Sequence, residues 1–271
     1  MKKILTLLLS LLLMLGCFGC AQDAQTTVTD AATTTAAAQT TTAAAPETEM
    51  PTQDLVILYT NDVHCAVDTN IGYAGLTAYK KELEEQGNQV MLVDAGDHTQ
   101  GSYVGTVSEG AYLVDIMNQV GYDVATLGNH EVDYGVMHFL ELAQRANFQY
   151  VSCNLVDTEG KRLLDAYTML DWGSKKVAFV GVTTPKTMTS SKPGSLTDGI
   201  SDQVIYGFCQ DESGEKLYAA VQEAVDAARE AGADYVIALA HLGIMSSAAP
   251  WTAGEVIANT TGIDVLIDGH S

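Results

Sequence analysis

The sequence predicts an α/β domain over residues 54–271, and two observations carry that expectation. Short apolar runs alternate with helical stretches at the spacing of βαβ units around a buried sheet. Five of those runs are followed at once by Asp, Asn or His. In an open α/β sheet the carboxyl ends of the strands are where ligands bind.

Leu55 to Tyr59 is an unbroken apolar run of strand length and reads as a buried strand. Leu76 to Gln86 reads as a helix, with Lys80, Lys81, Glu82, Glu84 and Glu85 solvated and Gly87 closing it. Val90 to Val93 is the next strand and Ala111 to Val120 the next helix; Val124 to Leu127 and Val136 to Ala146 repeat the pair. A long helix from about Gly214 to Ala231 precedes strands at Tyr235 to Ala240 and Val265 to Ile267.

The first strand runs into Asn61-Asp62-Val63-His64, the second into Asp94-Ala95-Gly96-Asp97, and the third into Gly128-Asn129-His130-Glu131. His241 follows the fourth and Asp268-Gly269-His270 the fifth. Taken singly, each has a plainer reading: Asp62 or Asp97 as a cap or turn residue, Asn129 in a left-handed turn, His241 as a hydrogen-bonded core histidine. Four of the six histidines of the chain nevertheless fall at these ends, which capping does not explain. The strand-end side chains are therefore expected to converge in one pocket.

Mixed carboxylate, amide and imidazole donors without thiolate suit zinc, manganese, cobalt or iron better than magnesium or calcium. Asp62 and His64, two apart, would point to one side of extended backbone and grip one ion. Asp97 can bridge two ions, and Asn129, His241 and His270 can serve the second. Two ions about 3.5–4 Å apart bind a phosphate ester and turn a shared water into a bridging hydroxide for in-line attack at phosphorus. His130 is placed to protonate the leaving alkoxide, with Asp133, three residues on, to orient it. The plainer reading of Asp133 is a first-turn helix charge.

Lys2 and Lys3, the apolar run Ile4 to Leu15 and the small residues after it have the form of a secretory signal over residues 1–20. Met14-Leu15-Gly16-Cys17 and Cys17-Phe18-Gly19-Cys20 resemble lipoprotein processing sites, so Cys17 or Cys20 is the expected lipidated residue. Residues 21–53 read as a solvated tether, since Ala and Thr make up 19 of the 25 residues from Ala21 to Ala45. The protein is thus expected to be exported and lipid-anchored at the bacterial surface. The remaining cysteines, Cys65, Cys153 and Cys209, are too few for a disulfide framework and carry no metal-type spacing. With 13 basic against 34 acidic residues the formal charge is −21, and −23 once Lys2 and Lys3 leave with the signal. That argues against docking to nucleic acid but not against a nucleotide substrate, because bound cations can draw in an anion the surface repels.

Asn61-Asp62-Val63-His64, Gly96-Asp97-His98-Thr99-Gln100-Gly101-Ser102, Gly128-Asn129-His130-Glu131, His241 and Gly269-His270-Ser271 resemble the motif series of the calcineurin-like metallophosphoesterases. Asp115 to Asn118, Gly121 to Glu131 and Val182-Thr183-Thr184-Pro185 are similar, more narrowly, to the bacterial 5′-nucleotidase and 2′,3′-cyclic phosphodiesterase family. The resemblance implies a four-layer αββα sandwich over residues 54–271, with residues 154–213 contributing mainly to the second sheet. It implies one metal on Asp62, His64 and Asp97, a second on Asp97, Asn129, His241 and His270, and His130 with Asp133 as the catalytic pair. The family motif continues past Ser271, and its members add a carboxy-terminal domain that binds the base, so the catalytic domain is expected to be incomplete at its carboxy end.

The expected function is removal of phosphate from nucleotides by an exported enzyme of this type, with two divalent ions, zinc, manganese or cobalt. One alternative keeps the chemistry on cyclic nucleotides, nucleotide sugars or other esters. Another, from a different class, is a non-catalytic lipoprotein binding module, which bound transition metal would exclude.

Overall fold

The structure, a computed structural model, describes residues 54–201 and 203–271. The expected signal, the tether, Cys17 and Cys20 lie outside the described residues. Among the described residues no helix is long and apolar enough to cross a membrane.

The first sheet is parallel throughout, in the order β1 (Leu55–Thr60), β2 (Gln89–Asp94), β3 (Val124–Ala125) and β4 (Gln149–Tyr150). Its crossovers carry α1 (Gly72–Glu85), α2 (Tyr103–Ser108), α3 (Ala111–Val120) and α4 (Val136–Arg145). A two-stranded antiparallel ribbon pairs β5 (Val156–Asp157) with β8 (Tyr206–Gly207). The second sheet places β6 (Tyr167–Trp172) antiparallel to β7 (Lys175–Thr183). It continues in parallel through β9 (Tyr235–His241) to β10 (Val265–Ile267). A short α5 (Thr187–Ser190), the long α6 (Glu215–Glu230) and α7 (Ala253–Asn259) complete the domain.

Period-two alternation turns these strands into layers. In β2, Met91 and Val93 face the second sheet, while Leu92 packs with Leu113, Met117 and Phe139 of the helices. In β7, Val177 and Phe179 meet the first sheet, and Ala178, Val180 and Val182 lie under Leu217, Val221 and Val225 of α6. The order is helix, sheet, sheet, helix, the four-layer sandwich. Full burial of a side chain such as Phe179 contributes roughly 1.5–3 kcal/mol.

Some elements differ from the sequence reading. The first helix begins at Gly72 rather than Leu76, because Tyr73 gives it a buried anchor one turn earlier. The third strand has two residues rather than four: the Thr126 hydroxyl donates to the Val151 carbonyl as the chain leaves the ladder. Of residues 154–213 only β6 and β7 join the second sheet, since β5 and β8 pair with each other. The nine-residue β7 passes without a polar signal because its buried part is apolar on both faces, as a central strand must be.

Candidate active site

All the strand-end segments lie on one rim of the sandwich, and backbone bonds lace them together. Beyond β1, the amides of Asp62, His64 and Cys65 donate to the carbonyls of Gly96, Asp97 and His98 at 3.0, 2.9 and 3.2 Å. Asp62, His64, Asp97 and His270 have φ of 50°, 47°, 60° and 75°, left-handed backbone that non-glycine residues adopt at a cost. This corrects the premise of an extended Asp62-Val63-His64 segment. The two side chains do approach one ion-sized space, but through left-handed turns rather than strand alternation.

The turn after β2 is gripped by a carboxylate from the turn after β3. Buried Glu131 accepts from the amides of Asp97 (2.7 Å), His98 (2.8 Å), Thr99 (3.0 Å) and Gly128 (2.6 Å). Burial disfavours its charge, yet His98 and these amides outweigh that and hold its pKa below the ordinary range. His98 is buried between acids, its Nδ1 2.6 Å from Asp94 and its Nε2 2.7 Å from the Tyr150 hydroxyl. Burial opposes its protonation, but Glu131 and Asp94 raise its pKa. A side chain at Gly128 is excluded, since a Cβ there would stand 2.1 Å from Oδ1 of Asp97.

Two groups of donors meet at Asp97. Asp62, His64 and Asp97 offer ligand atoms within 4.8 Å of one another, and so do Asp97, His241 and His270. His241 Nδ1 lies 2.7 Å from the Ala95 carbonyl, which requires that this nitrogen carry the proton and leaves Nε2 as the free donor. Nε2 is buried without a hydrogen-bond partner, 3.1 Å from Oδ2 of Asp97 but outside hydrogen-bonding geometry. Oδ1 of Asn129 is likewise buried and unpartnered. Buried polar atoms are nearly always satisfied, so an orphaned imidazole nitrogen beside a carboxylate common to both groups fits a cation. Burial opposes protonation of His241, yet the Asp97 carboxylate raises its pKa. Asp62 is held by the His270 amide at 2.9 Å and by Nδ2 of Asn61 at 2.6 Å. Asp268 spans the amides of Leu242 and Gly243 at 2.8 and 3.0 Å, fixing the turn after β9.

His130 is not in either donor group. Its amide donates to Oδ1 of Asp97 at 2.8 Å, and its Nδ1 lies 2.6 Å from Oδ2 of Asp133. The hydrogen bond to Asp133 raises its pKa against a smaller opposing effect of burial. Its ring stands edge-on to His64, with centroids 5.2 Å apart. A cleft of about 900 Å³ around Arg162 and Tyr167 contains none of these groups.

The calcineurin-like phosphoesterase family matches residues 55–271. The chain belongs to that family. The chain is 30% identical over 239 residues to the 5′-nucleotidase of Bos taurus, covering 80% of this chain and 38% of the relative. It is 28% identical over 259 residues to the trifunctional nucleotide phosphoesterase YfkN of Bacillus subtilis, covering 83% of this chain and 17% of that one. Among solved structures, YfkN from Bacillus subtilis superposes with a TM-score of 0.66 at 27% identity, over 80% of this chain and 71% of that one. The 5′-nucleotidase precursor from Thermus thermophilus gives 0.64 at 25% identity, over 80% and 41%. The chain spans little more than a third of the length of the bovine relative, 38%.

Asp62, His64, Asp97, His241 and His270 come together in the donor groups. The Asn129 side-chain oxygen is buried and unpartnered in the turn after β3, and His130 and Asp133 stand as a bonded pair beside Asp97 and His64. Sequence reading gave no role to Glu131, Asp94, Tyr150 or Asp268. The available signal was Glu131 itself, an acid directly before Val132 in a stretch with no basic residue to pair it.

Proposed function

We propose that this domain removes phosphate from nucleotides, using two divalent cations. Asp62, His64 and Asp97 would hold one, and Asp97, Asn129, His241 and His270 the other; the donor set suits zinc, manganese or cobalt. When bound, the cations supply Lewis acidity to the phosphoryl oxygens and to water. The observation that carries this reading is that Asp97 belongs to both donor groups while His241 Nε2, a ligand atom of one of them, is buried without a hydrogen-bond partner.

The protein's own part is positioning and proton transfer. Glu131 fixes the Asp97 turn, Asp268 the turn after β9, and the Ala95 carbonyl the His241 tautomer. Oδ2 of Asp133 takes Nδ1–H of His130, leaving Nε2 to carry the proton that the leaving oxygen needs. The nucleotide assignment is supported by the names of the relatives, 5′-nucleotidase and nucleotide phosphoesterase. The amino-terminal sequence adds export and a lipid anchor on Cys17 or Cys20 to the proposal, and the part length adds a separate substrate-recognition domain. Phosphate release from a panel of nucleotides, with and without chelator, tests the reading. Metal-free protein that turns over at the same rate overturns it, and metal-free protein that binds nucleotide without turnover returns the binding-module alternative.

A further inference from the structure

Val182-Thr183-Thr184-Pro185, at the end of β7, takes no part in the chemistry above, yet it meets both halves of the site. β7 pairs with β9 so that Thr183 lies opposite His241, and the Thr184 amide donates to the His241 carbonyl at 2.9 Å. The Thr183 hydroxyl crosses between the sheets and donates to the Leu127 carbonyl at 2.9 Å. Leu127 opens the turn after β3, directly before Gly128, Asn129 and His130. One side chain thus joins the strand of His241 to the turn that carries Asn129 and His130.

Thr183 is itself held by both of its backbone groups. Oδ1 of Asn154 accepts its amide at 3.0 Å, while Nδ2 donates to its carbonyl at 2.7 Å and to the Phe208 carbonyl at 3.0 Å. Both residues are fully buried. A β-branched side chain has few χ1 choices, so a pinned backbone also aims the hydroxyl. Bonds from the His270 amide to Asp62 and from His241 Nδ1 to the Ala95 carbonyl tie the second sheet to the turns after β1 and β2. The turn after β3 is reached by Thr183 and, at 3.2 Å, by the Ser191 hydroxyl on the Asn129 carbonyl.

We propose that Thr183 is a positioning residue that sets the turn of Asn129 and His130 against His241, and so decides how well the second cation is held. The inference rests on the two-cation reading of the same site. Asp62, His64 and Asp97 all leave the first sheet. The second set instead divides Asp97 and Asn129 from His241 and His270 between the two sheets. Coordination tolerates little displacement of a ligand, so a slip between the sheets spoils the second set and spares the first. His130 rides on the same turn, so the slip also carries the proton donor away from its place.

The test titrates the full, metal-stripped chain with manganese by calorimetry. Thr183→Val nearly keeps the shape of the side chain and deletes the hydroxyl. It should weaken the second manganese by roughly tenfold or more, the usual cost of losing a ligand's support, and leave the first unchanged. In a His241→Ala chain, where only the first position remains, adding Thr183→Val should change nothing. Thr183→Ser should recover most of the loss. Thr77→Val, which deletes a hydroxyl donated to the Tyr73 carbonyl on α1, should affect neither ion. Hydrogen exchange of the metal-free chain adds a second readout: Thr183→Val should speed exchange over residues 127–133 and leave residues 62–65 as they are. Equal weakening of both ions, unchanged affinities, or a Thr183→Ser chain as weak as Thr183→Val each overturn the proposal. A wild-type chain that takes up a single ion overturns the two-cation reading, and exchange then decides alone: no change over residues 127–133 overturns the role of Thr183.

Discussion

The backbone amide of Asp97 donates to Oε2 of Glu131 at 2.7 Å, and that oxygen also takes the Gly128 amide at 2.6 Å. One buried carboxylate thus joins the turns after β2 and β3. Glu131→Gln would turn an NH2 toward amide donors, leaving buried donors without acceptors. We expect it to lower unfolding stability by about 2–5 kcal/mol in urea titration and to reduce metal content. An unchanged urea midpoint would show that the carboxylate is dispensable.

His130→Ala should lower kcat for a phosphate ester by about 10²–10⁴ while bound metal stays at the wild-type level. Stopped assays with parallel metal analysis check both halves. A variant with full turnover removes His130 from proton transfer.

Asp133 raises the pKa of His130 through their hydrogen bond. A general acid works while protonated, so activity should fall as pH rises through that raised pKa. Asp133→Asn should move this basic limb to lower pH. The same linkage predicts stability that is fully present below about pH 6.5, the ordinary histidine value, and lost as pH rises through the folded value. A pH–rate profile of the variant that overlays the wild type contradicts the pairing.

Asp97 is the one residue common to both donor groups. Asp97→Ala should therefore empty both positions, whereas His241→Ala should empty one and retain the other. Metal analysis after desalting, expressed as ions per chain, distinguishes the two variants. Equal stoichiometry in both would mean that Asp97 is not shared.

Cys153 and Cys65 are buried, and burial pushes both thiols up, Cys65 to about 11. Cys209 is only partly buried. An alkylating reagent at pH 8 should label Cys209 before Cys65 and Cys153, as read by peptide mapping, and all three should react in denaturant. Labelling Cys153 first in folded protein contradicts this placement.

The ligand types were legible because they are local: a residue that follows an apolar run must sit at a strand end, as Asp97 after β2 and His241 in β9 do. The strands were legible from apolar runs, but the four-layer stacking was expected only from the family resemblance. What holds the ligands was not legible, because Glu131 meets Asp97 across 34 residues and His98 meets Tyr150 across 52. No spacing rule connects such pairs. Backbone handedness at Asp62 and His64 escaped for a related reason: left-handed turns are imposed there by amide bonds to the Gly96–His98 carbonyls, not by the residues themselves.

Asp62, His64, Asp97 and Asn129 hang from the first sheet, and His241 and His270 from the second. Besides bonds such as those of His270 to Asp62 and of His241 to Ala95, the two halves are aligned by the seating of Met91 and Val93 against Phe179, Ile237 and Leu239 between the sheets. That greasy seam works as a vernier. A Phe179→Leu or Ile237→Val exchange, nowhere near an ion, can slide one half-site past the other by a fraction of an ångström and dim catalysis in a protein that still melts as one unit. Searches for tuning positions belong in that seam as much as on the rim.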